Sequence, residues 1–343
     1  MNVLVVDKPG STEVRRVEIP HPRAGEVLIK TSAIALNPSD WMHRDGLSPI
    51  NAWLGCDFSG TVHALGAGVS TLKVGDHVAS MVHGGLAEGE GAFAEYIRVE
   101  EGMVWKVPEG TSDEEAAASG GIASWTAIQA LYFRLKLNPP HAPTHNAEPV
   151  LVWGASTSVG LYAVQLLKAS GYTVIATASE KNFSLLKELG VSSVYSYADP
   201  STPSQIATEH PTLSFALDCV SQHGATDKVA QAIKGAAGRG KIVTLMVVSS
   251  EDVAVEGVEH EFTLVYTCLG VPMKMGPFDM PAVPEDKRRI KEWLSVHLPA
   301  LFASGKLRAN PLLRRQGGLE KVDEGLDFLK EGKNSAQKLV YSL

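Results

Sequence analysis

The rhythm of apolar and polar positions changes once along this chain. Over roughly the first 120 residues, short alternating segments such as Glu26-Val27-Leu28-Ile29-Lys30 and Gly60-Thr61-Val62-His63-Ala64-Leu65 stand between Gly and Pro turns. Alternation with a period of two marks strands with one buried face, so this part reads as a β-rich domain. From about Val150 the pattern becomes strand, glycine turn and helix in succession, the signature of a doubly wound parallel sheet. Strands are predicted at Val150-Leu151-Val152-Trp153, residues 172–177, 193–197, 215–218 and 241–245. A helix is predicted from Gly160 to Ser170, with Leu161, Val164, Leu167 and Lys168 on one side and Gly171 ending it. The four prolines and two histidines of residues 137–149 read as a loop, with His141 and His145 as solvated residues. Beyond Pro284 one helix carries Trp293 and Leu294. A last helix places Leu319, Val322, Leu326 and Leu329 at helical spacing before a closing strand, Lys338-Leu339-Val340-Tyr341.

Composition narrows the class without changing this picture. At 343 residues the chain is long enough for two cores, and 44% hydrophobic with 20% charged residues is the balance of a soluble globular protein. The start, Met1-Asn2-Val3-Leu4-Val5-Val6-Asp7, reads as a strand and lacks the basic and long apolar parts of a signal peptide, so a cytoplasmic location and no membrane partner are expected. With net charge −7 and scattered basic residues, a nucleic-acid partner has little electrostatic support. Cys56, Cys219 and Cys268 are too few and too far apart for a disulfide framework and read as reduced thiols.

The segment Gly154-Ala155-Ser156-Thr157-Ser158-Val159-Gly160 falls between a buried strand and an amphipathic helix, the context in which such a loop cradles a pyrophosphate. Gly154 permits the sharp turn, Gly160 lets the helix pack closely, and the amides at the helix start attract the anion. Ser156 and Val159 stand where glycines would in the plain GxGxxG form, and the hydroxyls of Ser156, Thr157 and Ser158 offer donors in partial compensation. The bland alternative is an ordinary Gly/Ser turn. A sheet specific for NAD carries a carboxylate at the end of its second strand to bind the ribose 2′-hydroxyl. Here that strand runs into Ala178-Ser179-Glu180-Lys181-Asn182, where Ser179 leaves space and Lys181 supplies a charge suited to a 2′-phosphate, so NADPH is the expected cofactor. Glu180 would overturn this by pointing inward, and Lys181 has a plain alternative as a solvated surface lysine. Tyr197 ends the third strand, within reach of the same phosphate or as a half-buried core residue.

These residues resemble the medium-chain dehydrogenase/reductase superfamily, and within it the zinc-free fungal enoyl reductases that act in trans with polyketide synthases. The likeness is carried early by Ala35-Leu36-Asn37-Pro38-Ser39-Asp40-Trp41, Gly55-Cys56-Asp57-Phe58-Ser59-Gly60-Thr61-Val62 and Lys73-Val74-Gly75-Asp76-His77-Val78, and then by residues 91–96. Downstream, the loop at 154–160, residues 178–183 and the tail from Gly317 to Tyr341 carry it. The resemblance implies an α/β protein, a Rossmann-type doubly wound sheet plus a β-rich GroES-like catalytic domain. Its implied boundaries are residues 1–122 and 271–343 for the catalytic domain and 123–270 for the nucleotide domain. It further implies that Ser156, Thr157, Ser158 and Val159 touch the cofactor phosphates, and that Ser179, Lys181, Asn182 and Tyr197 surround the 2′-phosphate.

Zinc-dependent relatives carry an early cysteine, a His-Glu pair and a lobe of four cysteines. Here Asn37-Pro38-Ser39-Asp40, Cys56-Asp57 and a Gly-rich loop, residues 83–91, occupy those places, so no metal is expected. Without a Lewis acid to activate an alcohol, hydride addition to an enone or enoyl thioester becomes the leading chemistry. Thr126 resembles a position lining the nicotinamide pocket, with a helix-capping or first-turn threonine as its plain alternative. Asp40 and His43 belong to the segment expected to face the nicotinamide. Related fungal enoyl reductases commonly carry lysine where Met42 stands; methionine cannot donate a proton, which leaves His43, another donor or water for that task. The expected substrate is a small hydrophobic unsaturated carbonyl compound, free or held on a carrier protein. A quinone or carbonyl reductase and an NADPH-binding protein without turnover stay open as alternatives. Monomer and homodimer both stay open too, with residues 261–266 as an edge strand able to pair across a dimer.

Overall fold

A computed structural model of the chain describes every residue except Ser250, Asp252, Ala254, Gly276 and Pro277. The chain forms two compact units, one from Met1–Ile122 with Tyr266–Leu343 and the other from Ala123–Val265.

The second unit is built on a six-stranded parallel sheet. Its strands are β1 (Pro149–Trp153), β2 (Thr173–Ala178), β3 (Ser193–Ser196), β4 (Phe215–Asp218), β5 (Gly240–Thr244) and β6 (Val258–Phe262). They lie in the order β3-β2-β1-β4-β5-β6, every neighbouring pair parallel. This is the Rossmann order, in which the direction of winding reverses between β1 and β4 and leaves a crevice at their carboxyl ends. The inner strands β2, β1, β4 and β5 are mostly apolar because helices cover both faces of such a sheet. Leu151, Ile175, Ala216 and Ile242 meet Ile206, Val229 and Ile233 in a common core.

Two local expectations change. The helix after β1 runs from Ser158 to Ala169, two residues earlier than predicted, and Lys168 is exposed instead of sharing the buried side. Tyr162, Ala163, Gln165 and Leu166 are buried with Leu161, Val164 and Leu167, so the helix is enclosed nearly all round and a one-stripe reading misplaces its boundary. The edge strand spans Val258–Phe262, not residues 261–266, and Val265–Leu269 is a 3-10 turn. The last ladder contact is Thr263 N–H to Thr244 O at 3.0 Å. Beyond it the Gln129 side chain accepts from the Thr263 hydroxyl at 2.8 Å and donates to Leu264 O at 3.2 Å, drawing the chain off the sheet.

The first unit is centred on a seven-stranded sheet in which Glu26–Ala35 pairs with Asp57–Leu65, with Tyr96–Glu100 and, antiparallel, with Lys338–Ser342. The distant segment after the nucleotide unit therefore completes the sheet begun near residue 26. Asp113–Ser119 is a helix with a capping box, the Ser112 hydroxyl accepting from Glu115 N–H at 3.3 Å and the Glu115 carboxylate accepting from Ser112 N–H at 3.0 Å. Its alanines pack on Ala33, Ala35 and Val340. Among the described residues no helix is long and apolar enough to cross a membrane.

Candidate functional site

In the second unit β1 runs straight into the glycine loop, and Gly154 adopts φ 76°, a left-handed conformation that a side chain resists. Its N–H is held by the Thr177 hydroxyl at 3.1 Å, and Ala155 N–H by Thr177 O at 2.9 Å, so the end of β2 fixes the loop. The helix Ser158–Ala169 is capped by Thr157, whose hydroxyl oxygen accepts from Gly160 N–H at 3.1 Å. A Cβ on Gly160 would stand 2.6 Å from Gly154 O, so glycine is required for the helix to approach the loop. Ser156, Thr157, Ser158 and Val159 are half-exposed around this turn. The result is a cradle at the amino end of a twelve-residue helix, where backbone N–H groups and the helix dipole favour a phosphate.

At the carboxyl end of β2, Ser179 precedes a 3-10 turn, Glu180–Asn182. Asn182 is buried and its Nδ2 donates weakly to Ser179 Oγ at 3.5 Å, while Glu180 and Lys181 are exposed. Tyr197 N–H reaches Ala178 O at 3.4 Å, which brings the end of β3 beside the end of β2. The Tyr197 side chain is 45% exposed, which removes its reading as a core residue. Thr126 is buried at the fifth position of the helix Ile122–Ile128 and so is not a cap.

The first unit gathers a second set of residues. Asp40 and His43 come from the short helix Pro38–Met42 and the π turn after it, and Cys56 and Asp57 from the start of the strand Asp57–Leu65. Asp57 is fully buried; its Oδ2 accepts from the Lys338 ammonium at 2.9 Å and its Oδ1 from Ile122 N–H at 2.8 Å. Lys338 also donates to the Asn37 side-chain oxygen. Asp40 Oδ2 accepts from Asn37 N–H at 2.7 Å. Burial, and then repulsion from Asp57, push the Asp40 carboxyl up to about 7, against the pull of Lys338 and the Cys56 thiol. Cys56 Sγ lies 3.4 Å from the Tyr266 hydroxyl. Burial, followed by the nearness of Asp40, pushes the Cys56 thiol up, and burial raises Tyr266 likewise.

His83 stacks flat on Tyr266 with centroids 3.6 Å apart and planes 6° from parallel. The His43 ring meets His83 edge-on at 5.5 Å and shares a 3.0 Å hydrogen bond between Nδ1 and Ser48 Oγ. Burial, then the neighbouring His43, hold His83 down at about 3, and burial lowers His43 as well, so both rings are neutral. Gly85 makes this packing possible, since a Cβ there would meet His43 Nδ1 at 2.5 Å.

Sequence reasoning singled out Asp40 and His43 but not Lys338 or Tyr266. Lys338 lies 281 positions from Asp57, so no local window pairs them. The available signal was a lone lysine at the head of an apolar strand, where alternation demands burial and burial of an ammonium demands a carboxylate. The donors present do not fit a zinc ion. Asp57 is already neutralised by Lys338 and spends its other oxygen on a backbone N–H, and the Cys56 thiol is held protonated. Among the described residues no group of three or more His, Cys, Asp or Glu side chains is placed to hold a metal.

Comparison with known proteins places this geometry. Residues 23–109 match the alcohol dehydrogenase GroES-like domain, and residues 158–271 match the zinc-binding dehydrogenase family. The chain is 35% identical to a trans-enoyl reductase of Xenoacremonium sinensis, with 98% of this chain and 93% of the relative covered. It is 36% identical to a trans-enoyl reductase of Alternaria alternata, with 99% and 98% covered. A solved enoyl reductase, that of CurK, shares the fold with a TM-score of 0.78 at 20% identity, over 99% of this chain and 98% of the other.

Proposed function

The chain belongs to the medium-chain dehydrogenase/reductase superfamily and, within it, to the trans-enoyl reductase family, and from that premise we propose that it is an NADPH-dependent, zinc-independent reductase of carbonyl-conjugated double bonds. It is an oxidoreductase with a nucleotide-binding unit of the NAD(P) type. Its place is in secondary-metabolite biosynthesis, and its proposed substrate is a hydrophobic unsaturated acyl thioester, free or tethered to a carrier protein.

The observation that carries the reading is the cradle at residues 154–160, in which glycine is required at 154 and 160 and a capped helix points its amino end at the loop. When bound there, the reduced nicotinamide supplies the hydride. Gly154, Ser156, Thr157, Ser158, Val159 and Gly160 would hold the pyrophosphate, and Ser179, Lys181, Asn182 and Tyr197 would surround the 2′-phosphate. Lys181 is exposed, so its ammonium would meet a 2′-phosphate while still solvated; Glu180 beside it is exposed as well. Thr126, Asp40 and His43 are proposed at the reacting end, where hydrogen-bond donors would stabilise an enolate oxygen.

Met42 favours a second reading. It leaves no ammonium at the position where related enzymes keep a lysine, and quinones need less proton help in the hydride step. The deciding experiment follows NADPH oxidation by metal-stripped protein with an α,β-unsaturated acyl thioester and, in parallel, with a quinone. Thioester turnover supports the enoyl-reductase reading, and turnover of the quinone alone overturns it in favour of the second. Lys181→Ala should raise the KM for NADPH at least tenfold (about 1.4 kcal/mol) while leaving that for NADH nearly unchanged. Equal effects on both would remove Lys181 from the 2′-phosphate site.

A further inference from the structure

A second loop closes on the glycine loop inside the nucleotide unit. Residues 219–224 connect β4 to the helix Ala225–Gly235, and they leave the sheet at the point where its winding reverses. Cys219 N–H donates to Trp153 O at 2.9 Å, which ties the start of this loop to the last residue of β1. A Cβ on Gly154 would stand 2.7 Å from Val220 Cγ2, 3.6 Å from Thr157 Cγ2 and 3.7 Å from Cys219 Cβ, so the two loops touch where the phosphate cradle turns. The second loop is strained. Ser221, His223 and Gly224 have φ 55°, 54° and 72°, and two of these three carry side chains that the left-handed region disfavours. Such a backbone persists only where its surroundings over-determine it, and strain of this kind gathers at ligand clamps. Here the determining group is Asp218, the last residue of β4 and fully buried. Its Oδ1 accepts from Val220 N–H at 2.9 Å and from Ser221 N–H at 3.0 Å, and its Oδ2 from the Thr226 hydroxyl at 2.6 Å. The Ser221 hydroxyl donates to Asp218 O at 3.0 Å and accepts from Leu245 N–H at 2.9 Å, which carries the hold to the end of β5. These donors are all neutral, and burial raises the Asp218 carboxyl. An apolar residue would be easier to bury there but could not fix the loop.

We propose that Asp218 is a positioning residue for the dinucleotide, holding residues 219–224 in a preset left-handed turn that walls the crevice on its β4 side. This rests on the reading that the unit binds NADPH across the carboxyl ends of β1 and β4, and it adds a second element to the glycine loop. Asp218 is 0% exposed, so it touches no cofactor and acts through the loop it fixes. Cys219 and Val220, half-buried beside Gly154, are the side chains through which that wall meets the cradle. A dinucleotide entering the crevice then meets a surface that needs no ordering, and its affinity is spared the entropy of freezing a free loop.

The test is calorimetric titration of wild type, Asp218→Ala and Asp218→Asn with NADPH, each protein first shown by melting to unfold cooperatively. Asp218→Asn keeps an acceptor for the two amides and offers the Thr226 oxygen a donor, whereas Asp218→Ala keeps neither. Asp218→Ala should raise the dissociation constant about tenfold or more, and Asp218→Asn by no more than about threefold. An Asp218→Ala protein that binds within about threefold of wild type, or an Asp218→Asn protein that loses as much as Asp218→Ala, would sink the assignment. Should Asp218→Ala not fold, hydrogen exchange in wild type carries the test. The Val220 and Ser221 amides should exchange at least about 100-fold more slowly than in a free peptide before any cofactor is added. Protection that appears only once NADPH is bound overturns the preset loop. Failure of the underlying reading looks different, because wild type would then bind neither NADPH nor NADH while those amides stay protected.

Discussion

Asp40 and His83 bind protons in opposite senses, and each makes stability depend on pH. The folded Asp40 carboxyl, raised from 3.8 to about 7, holds its proton more tightly than the unfolded chain does. Its contribution is therefore present below pH 3.8 and is lost as pH climbs towards 7. His83, lowered from 6.5 to about 3, refuses a proton that the unfolded chain accepts, so its contribution is present above pH 6.5 and is lost as pH falls towards 3. Where the two windows overlap the slopes oppose, and single variants separate them. Asp40→Asn should raise the melting temperature at pH 8 relative to pH 5, compared with wild type; an unchanged difference would mean that Asp40 does not titrate across that range. His83→Phe, which can still stack on Tyr266, should flatten the loss of stability between about pH 6.5 and pH 4. Neither environment is visible in the sequence. Asp40 stands out there as a carboxylate in a suggestive segment, but its shift depends on Asp57, Lys338 and Cys56, and only the fold brings these together.

At the scale of elements, the loop at 154–160 with its flanking strand and helix is the most legible feature, because every signal it uses is local: a buried apolar run, glycines at the two tight places and a hydroxyl at the cap. Thr157→Ala should cost about 1 kcal/mol of unfolding free energy through loss of the cap, and should weaken dinucleotide binding in the same protein. Denaturant titration and fluorescence quenching check the two effects; a stability loss with binding intact would show that the hydroxyl serves only the helix. Five strands of the parallel sheet can be read from their apolar runs. The sixth, Val258–Phe262, is harder, since Glu259, His260 and Glu261 make it a polar edge. Its end is set by the Gln129 side chain, more than 130 positions earlier, and no local rule reports that.

At the scale of the whole molecule, the first unit is discontinuous, and its sheet places Lys338–Ser342 between Leu312–Arg315 and Glu26–Ala35. Deleting residues 338–343 removes that strand and also the ammonium that neutralises Asp57. A buried carboxylate left without its partner is destabilised by about 3–5 kcal/mol, so the truncated protein should lose cooperative unfolding in the first unit and accumulate in the insoluble fraction. Recovery of a soluble, cooperatively melting truncation would show that the strand is dispensable. The discontinuity also sets a schedule on the ribosome. The nucleotide unit, Ala123–Val265, is contiguous and can collapse as soon as it has emerged, whereas Ala33, Ile34 and Ala35 wait with an open backbone edge until the strand at 338–342 is made. For the time needed to translate the intervening residues, the nascent chain displays a sticky β-edge, which is the kind of surface that a chaperone holds.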